Sequence, residues 1–251
     1  MQLKCLGSNS SGNCYLLESE EECLVLEAGL PFKDVKIALD FNIDKIVGLL
    51  VTHEHGDHFK YVKDFLNAGI PIKTSQGTWS TIPYDVEISE KIVRPGYWYQ
   101  LGNFTITPFL TIHDAVEPLG FLIRHPNMGS LLFATDTEYI KQDFSKLYLN
   151  HILIECNYSQ NIINSKAANE NINNGLRDRI LQTHMELDTC RDFIRHNAKS
   201  VLTNVVLLHL SDGNSDEMLF KDEIRKVVGS GTKVFVADKG LTVELDYLPF
   251  A

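Results

Sequence analysis

Between Thr52 and His58 the chain reads THEHGDH, so His53, His55, Asp57 and His58 place four metal-capable groups within six residues. Side chains two apart on an extended segment point the same way, so His53 and His55 can grip one metal. A turn at Gly56 would swing Asp57 and His58 toward a second. Three further candidates stand alone: His113 in TIHDAVEPLGF, Asp136 in FATDTEY and His209 in LLHLS. Each candidate follows an apolar run: 49–52 stops at His53, 109–112 at His113, 131–135 at Asp136 and 205–208 at His209. Four strands therefore deliver a ligand at the same end, where loops hold polar groups without burying them unpaired. Imidazoles and carboxylates without thiolates suit zinc, with manganese or iron compatible, and a shared carboxylate permits the roughly 3.5–4 Å metal separation of two-metal hydrolysis.

From the GSNSSGN turn to about residue 211, these motifs resemble, in order, the His-x-His-x-Asp-His signature and later motifs of the metallo-β-lactamase superfamily. The resemblance implies an αββα sandwich. It also implies His53, His55 and His113 on one metal, Asp57, His58 and His209 on the other, and Asp136 bridging them. Two divalent ions, zinc first and manganese second, are the expected cofactor. His184 in QTHMELDT resembles the extra histidine of the superfamily's phosphodiesterase branch, which hydrogen-bonds the scissile phosphate or protonates the leaving oxygen. Glu155 in LIECNYS resembles the acidic residue that orients it. His184, Glu155 and Asp57 form the expected catalytic set. Ser8 and Asn13 are candidate substrate contacts, because the turn that they flank can lend backbone amides to a phosphate; the same turn reads equally as a plain hairpin turn. Two residues depart from the pattern. Glu27 (LEAGL) replaces the usual aspartate, which bears on support of the metal loop. Glu186 replaces a small polar residue and would repel a polyanion if it faced the site.

Patterning predicts the elements that must position these groups. Strands are expected at 4–7, 14–18, 23–27, 48–52, 104–111, 120–124, 131–134 and 152–155, and helices at 33–41, 58–67, 165–181, 186–196 and 216–228. Strand runs near both ends suit a two-sheet α/β sandwich with helices outside, as one domain over 1–251. A polar stretch at 157–174, with seven asparagines, reads as an inserted loop or lid. His125, His151 and His196 lack motif support and are expected to be structural or surface residues.

The 251 residues carry 23 Lys and Arg against 33 Asp and Glu, a balance of −10, with no long basic block. That excludes a cationic DNA-coating protein and disfavours a long polyanionic partner. Apolar content of 44% and aromatic content of 10% exclude disorder. No leader-like or membrane-spanning apolar run occurs, so a cytoplasmic protein of a bacterium or phage-infected host cell is expected. Five widely spaced cysteines without a Cys-x-x-Cys pair indicate buried small hydrophobes. The expected substrate is a small phosphodiester, best a 3′,5′-cyclic nucleotide, as for the phage (anti-Pycsar) enzymes that disarm pyrimidine cyclic-nucleotide signalling and that the chain resembles in size and motifs. The alternative is a 5′-to-3′ exonuclease or RNA-processing nuclease, with Arg177, Arg179, Arg191 and Arg195 as a groove, although Asp178, Glu186, Asp188 and Asp192 interleave with them. The resemblance also suggests a homodimer.

Overall fold

The computed structural model describes residues 1–82, 92–169 and 174–246. In chain order its strands are β1 (Gln2–Gly7), β2 (Cys14–Glu18), β3 (Cys23–Leu26), β4 (Ile46–Leu50), β5 (Ile72–Lys73), β6 (Tyr99–Leu101), β7 (Phe104–Leu110), β8 (Leu119–His125), β9 (Gly129–Ala134), β10 (His151–Glu155), β11 (Asn204–Leu208), β12 (Lys233–Val236) and β13 (Thr242–Glu244). Its helices are α1 (Phe32–Ala38), α2 (Gly56–Phe59), α3 (Val62–Asn67), α4 (Gln76–Ser80), α5 (Gln160–Asn169), α6 (Asn174–Thr183), α7 (Leu187–Asn197) and α8 (Glu217–Arg225). Contacts group the chain into two compact units interleaved in sequence, a division that no compositional boundary marks: Met1–Leu110, Ala115–Gly129 and Ala237–Ala251 in the first, Thr111–Asp114 and Ser130–Val236 in the second.

In the first unit a sheet runs in the order β13-β1-β2-β3-β4-β5. β1 to β3 are antiparallel, whereas β3, β4 and β5 are parallel. β1 alternates half-buried and buried residues, but β2 and β3 are buried almost throughout. Phe32 of α1 meets Phe65 of α3 at 4.7 Å between ring centroids, within a core that includes Leu16, Val25, Leu49 and Trp79. The helix expected at 58–67 is interrupted between α2 and α3. Ala28 takes both backbone groups of this segment, donating to the His58 carbonyl (2.7 Å) and accepting from Tyr61 N–H (2.9 Å), so the helical ladder cannot run through. That diversion also fixes the end of the THEHGDH motif.

β6, β7 and β8 form an antiparallel meander in the same unit. Buried Glu22, in the β2–β3 turn, accepts from Asn103 N (2.9 Å), Asn103 Nδ2 (2.7 Å) and His125 Nε2 (2.9 Å). Asn127 N donates to His125 Nδ1 at 3.1 Å, which leaves the ring proton on Nε2. His125 is thus structural, as expected. Burial alone would raise the Glu22 pKa, but Asn103 and His125 hold it below the ordinary value. A depressed carboxylate contributes stability that is full above its unfolded pKa of about 4.3 and lost as pH falls through the lower folded value. Glu22→Gln should therefore cost about 1–3 kcal/mol at neutral pH. In urea unfolding the gap between variant and wild type should close below about pH 4; a gap of equal size at pH 7 and pH 3 would contradict this clasp.

The second unit contains the parallel run β9-β10-β11-β12. Every residue of β10 and β11 is buried, as in sheets covered on both faces. α7 buries Leu187, Cys190, Ile194 and Asn197 at helical spacing, and α8 buries Phe220 and Ile224. Parallel register sets the carboxyl ends of β9, β10 and β11 side by side, which gathers Asp136, Glu155 and His209. Across the expected helix 165–181, α5 runs to Asn169 and α6 starts at Asn174, and 170–173 lie outside the described residues. The polar stretch at 157–174 is thus helical over Gln160–Asn169 rather than a loop there, anchored by buried Ile163. All five cysteines are buried, and burial pushes the Cys5 thiol up to about 12. No helix among the described residues is long and apolar enough to cross a membrane.

Candidate metal and acid–base centre

In the first unit, β4 runs out into an extended segment that carries the histidines before α2 begins at Gly56. His53 and His58 are fully buried, and the His53 ring lies 4.7 Å from that of His55 and 4.2 Å from that of His58. Three imidazoles packed so closely repel if all are protonated, whereas neutral rings around a cation do not. Thr52 Oγ1 sits 2.8 Å from His53 Nδ1, which leaves Nε2 as the ring atom for a metal. Asn13, expected to contact substrate, is instead fully buried with its side-chain amide 3.1 Å from both Asp57 Oδ2 and His58 Nε2. Its backbone N–H donates to the Asp57 carbonyl at 2.7 Å. Ser8 is also buried, and its hydroxyl accepts from Tyr15 at 2.7 Å.

Glu27 has left-handed backbone (φ 68°) and is fully buried, with Oε2 3.4 Å from both His58 Nδ1 and Thr52 N. Burial pushes its carboxyl above the ordinary range. The following Gly29 has a steric reason: a Cβ there would lie 1.7 Å from the Asp57 carbonyl oxygen. Glu54, between the two histidines of the motif, faces elsewhere and accepts from Val116 N at 2.7 Å. Nothing in its residue type marks that role.

In the second unit Asp136 (φ 44°) and His209 (φ 52°) both occupy left-handed backbone just beyond their strands. Asp136 Oδ1 lies 2.8 Å from His209 Nδ1, and Oδ2 lies 3.7 Å from His113 Nε2. His113 Nδ1 faces the Thr183 carbonyl at 2.8 Å, which directs Nε2 as the ligand atom. Buried Glu155 places Oε1 2.6 Å from His184 Nδ1 and 3.4 Å from His209 Nδ1, and its Oε2 accepts from Thr137 N (2.8 Å) and Met185 N (3.2 Å). With four such partners Glu155 orients histidines rather than binding an ion. The His184 ring is 5.3 Å from His113 and 5.5 Å from His209.

The charges follow from these contacts. Burial works against a charged His184, but Glu155 and Asp136 outweigh it and raise its pKa. His209 is likewise opposed by burial and lifted by Asp136 and Glu155, to about 10. Burial lowers the His113 pKa and favours the neutral ring that a metal requires. Burial would raise Glu155, yet His184 and His209 hold it below its ordinary range. Asp136, Glu155, His184 and His209 each offer an atom within 4.8 Å of the others; with Glu155 and His184 engaged with each other, Asp136 and His209 are the members whose chemistry suits a divalent cation.

Glu186 does not present a charge to a phosphate: it caps α7, accepting from Asp188 N and from Thr189 N (3.4 Å), and also takes Gln160 N at 3.2 Å. Of the arginines that the nuclease alternative would use as a groove, three are paired with carboxylates, as on a mixed-charge helix face, and the Arg177 side chain lies outside the described residues. Arg179 pairs with Asp114 (3.0 Å), Arg191 with Asp188 (2.6 Å) and Glu223 (3.3 Å), and Arg195 with Asp192 (2.7 Å). Of the expected surface or structural histidines, His151 is buried against Asn204 (3.0 Å) and His196 is exposed beside Asp143. Sequence reasoning missed Thr52, Thr137 and the Thr183 carbonyl; adjacency to a motif was the sole signal for the first two.

A family model described as the metallo-beta-lactamase superfamily matches residues 7–146. The chain is 29% identical over 148 residues to a Bacillus anthracis protein named exodeoxyribonuclease YycJ, and the match covers 56% of each chain. The matched stretch thus spans about half the length of that relative. Among solved structures, YhfI from Bacillus subtilis superposes with a TM-score of 0.72 at 16% identity, covering 97% of this chain and 99% of that one. The short form of human tRNase Z gives a TM-score of 0.65 at 14% identity, over 98% of this chain and 100% of that one. These likenesses show the fold, the αββα sandwich anticipated from the motifs.

Proposed function

Because this chain belongs to the metallo-β-lactamase superfamily, we propose that it is a two-metal phosphodiester hydrolase in which His184 is the acid. The observation that carries the reading is the 2.6 Å contact of His184 with buried Glu155, beside Asp136 and His209. We assign His53, His55 and His113 to one divalent ion, and Asp57, His58 and His209 to the other, with Asp136 shared. Zinc is the first choice and manganese the second. Two such ions, when bound, supply hydroxide near neutral pH and screen the phosphate's charge. The rest falls to the protein. Glu155 holds His184 by Nδ1, so Nε2 is left to face substrate, and its charge keeps the ring protonated. As water oxygen joins phosphorus and the ester bond breaks, His184 gives its proton to the departing oxygen. Asn13 and Glu27 hold Asp57 and His58 in register, and Ser8 keeps the adjacent turn in place through Tyr15.

A small substrate, best a 3′,5′-cyclic nucleotide, fits the formal charge of −10 and the paired arginines among the described residues. The second reading, an exonuclease, draws on the name of the 29% identical relative. Metal analysis followed by a substrate panel separates them: cyclic CMP, UMP, AMP and GMP, 5′-phosphorylated single-stranded DNA, precursor tRNA and bis(p-nitrophenyl) phosphate. Hydrolysis of a cyclic nucleotide is expected. Intact cyclic nucleotides alongside shortened DNA would replace the first reading with the second. A homodimer, the expected partner state, is tested by light scattering on the same sample.

A further inference from the structure

We propose that Asn157 is a positioning residue whose side chain sets His209, from a backbone that is itself held to the residue after His184. The inference rests on the two-metal reading only where it concerns ligand strength. Asn157 lies two residues past Glu155, at the end of β10, and is 5% exposed. Its side-chain amide donates to the His209 carbonyl at 2.8 Å. Its backbone N–H donates to the Met185 carbonyl, and its own carbonyl accepts from Ser211 N, both at 2.9 Å. One residue therefore ties the end of β10 to the turn after His184 and to the segment that follows β11.

The bond to His209 matters because of that residue's backbone. At φ 52° His209 is in a conformation that residues with a Cβ disfavour, so it persists only where its surroundings over-determine it. The left-handed turn takes the His209 carbonyl out of the β11 ladder, and the Asn157 amide meets it there. A buried carbonyl left without a donor would favour relaxation of the turn. Relaxation would swing the imidazole away from Asp136, which it now meets at 2.8 Å. Glu155 fixes His184 by its ring, while Asn157 fixes the neighbouring Met185 by its carbonyl. Two side chains on one strand end thus hold two histidines by different atoms.

Asn157→Ala and Asn157→Leu both remove the donor, and leucine keeps the volume. Both variants should lower metal affinity by about 10–100-fold, as is usual when the partner of a ligand is lost, read by competition with a chromophoric chelator. In metal-free protein the imidazole NMR signal of His209 should move, while those of His53 and His55 stay. Wild-type affinity and unmoved signals in Asn157→Leu would reduce Asn157 to a space filler and overturn the proposal, as would unmoved His209 signals in both variants. Should the wild-type protein take up no metal, the hydrolase reading falls, and the metal-free signals still decide the role of Asn157.

Discussion

His184→Ala should reduce phosphodiester turnover by about 10²-fold or more, the range for a lost general acid, with bound metal near the wild-type amount. The expected loss is large because the ring has no substitute nearby among the described residues: Glu155 is buried and engaged by Thr137 and Met185, and the His113 and His209 rings are the proposed ligands. Metal should stay because His184 Nδ1 is turned to Glu155 rather than left for an ion. Glu155→Gln should show a smaller loss, since the amide can still accept one hydrogen bond but no longer favours the charged ring. Equal turnover of His184→Ala and wild type, on a substrate with a poor leaving group, would remove His184 from the chemistry.

Stripping metal with a chelator should cost more, on the order of 10⁴-fold or greater, because neutral-pH hydroxide depends on a metal lowering the pKa of bound water to about 7. The same treatment should lower the Tm. Metal at 100 times its Kd adds about 2.7 kcal/mol to a fold that binds it only when native. The stripped first unit would also keep His53, His55 and His58 within 4.7 Å ring contacts with no cation between them. Zinc or manganese should restore both readouts. Full activity after stripping verified by elemental analysis would exclude a metal-dependent reaction.

The His53–His58 motif and the strand ends before His113, Asp136 and His209 were legible because ligand spacing and apolar runs are local properties. Helix limits were less so. The break between α2 and α3 depends on Ala28, thirty residues from His58, and the start of α5 depends on burial of Ile163 within an asparagine-rich stretch. Glu186 looked like a charge in the site because spacing shows a residue's neighbours in sequence but not the amides that its carboxylate will cap.

By itself, then, the sequence determined the donor types, their order and the superfamily they resemble, since each rests on residue identity at short range. Tertiary structure decided which groups support them: Asn13 under Asp57 and His58, Glu27 beneath His58, Glu155 between His184 and His209, and Asn157 on the His209 carbonyl. Those partners lie from about thirty to more than fifty positions apart, and hydrogen bonds over such separations exist only once the strands are in register and the strand-end backbone has turned left-handed at Glu27, Asp136 and His209.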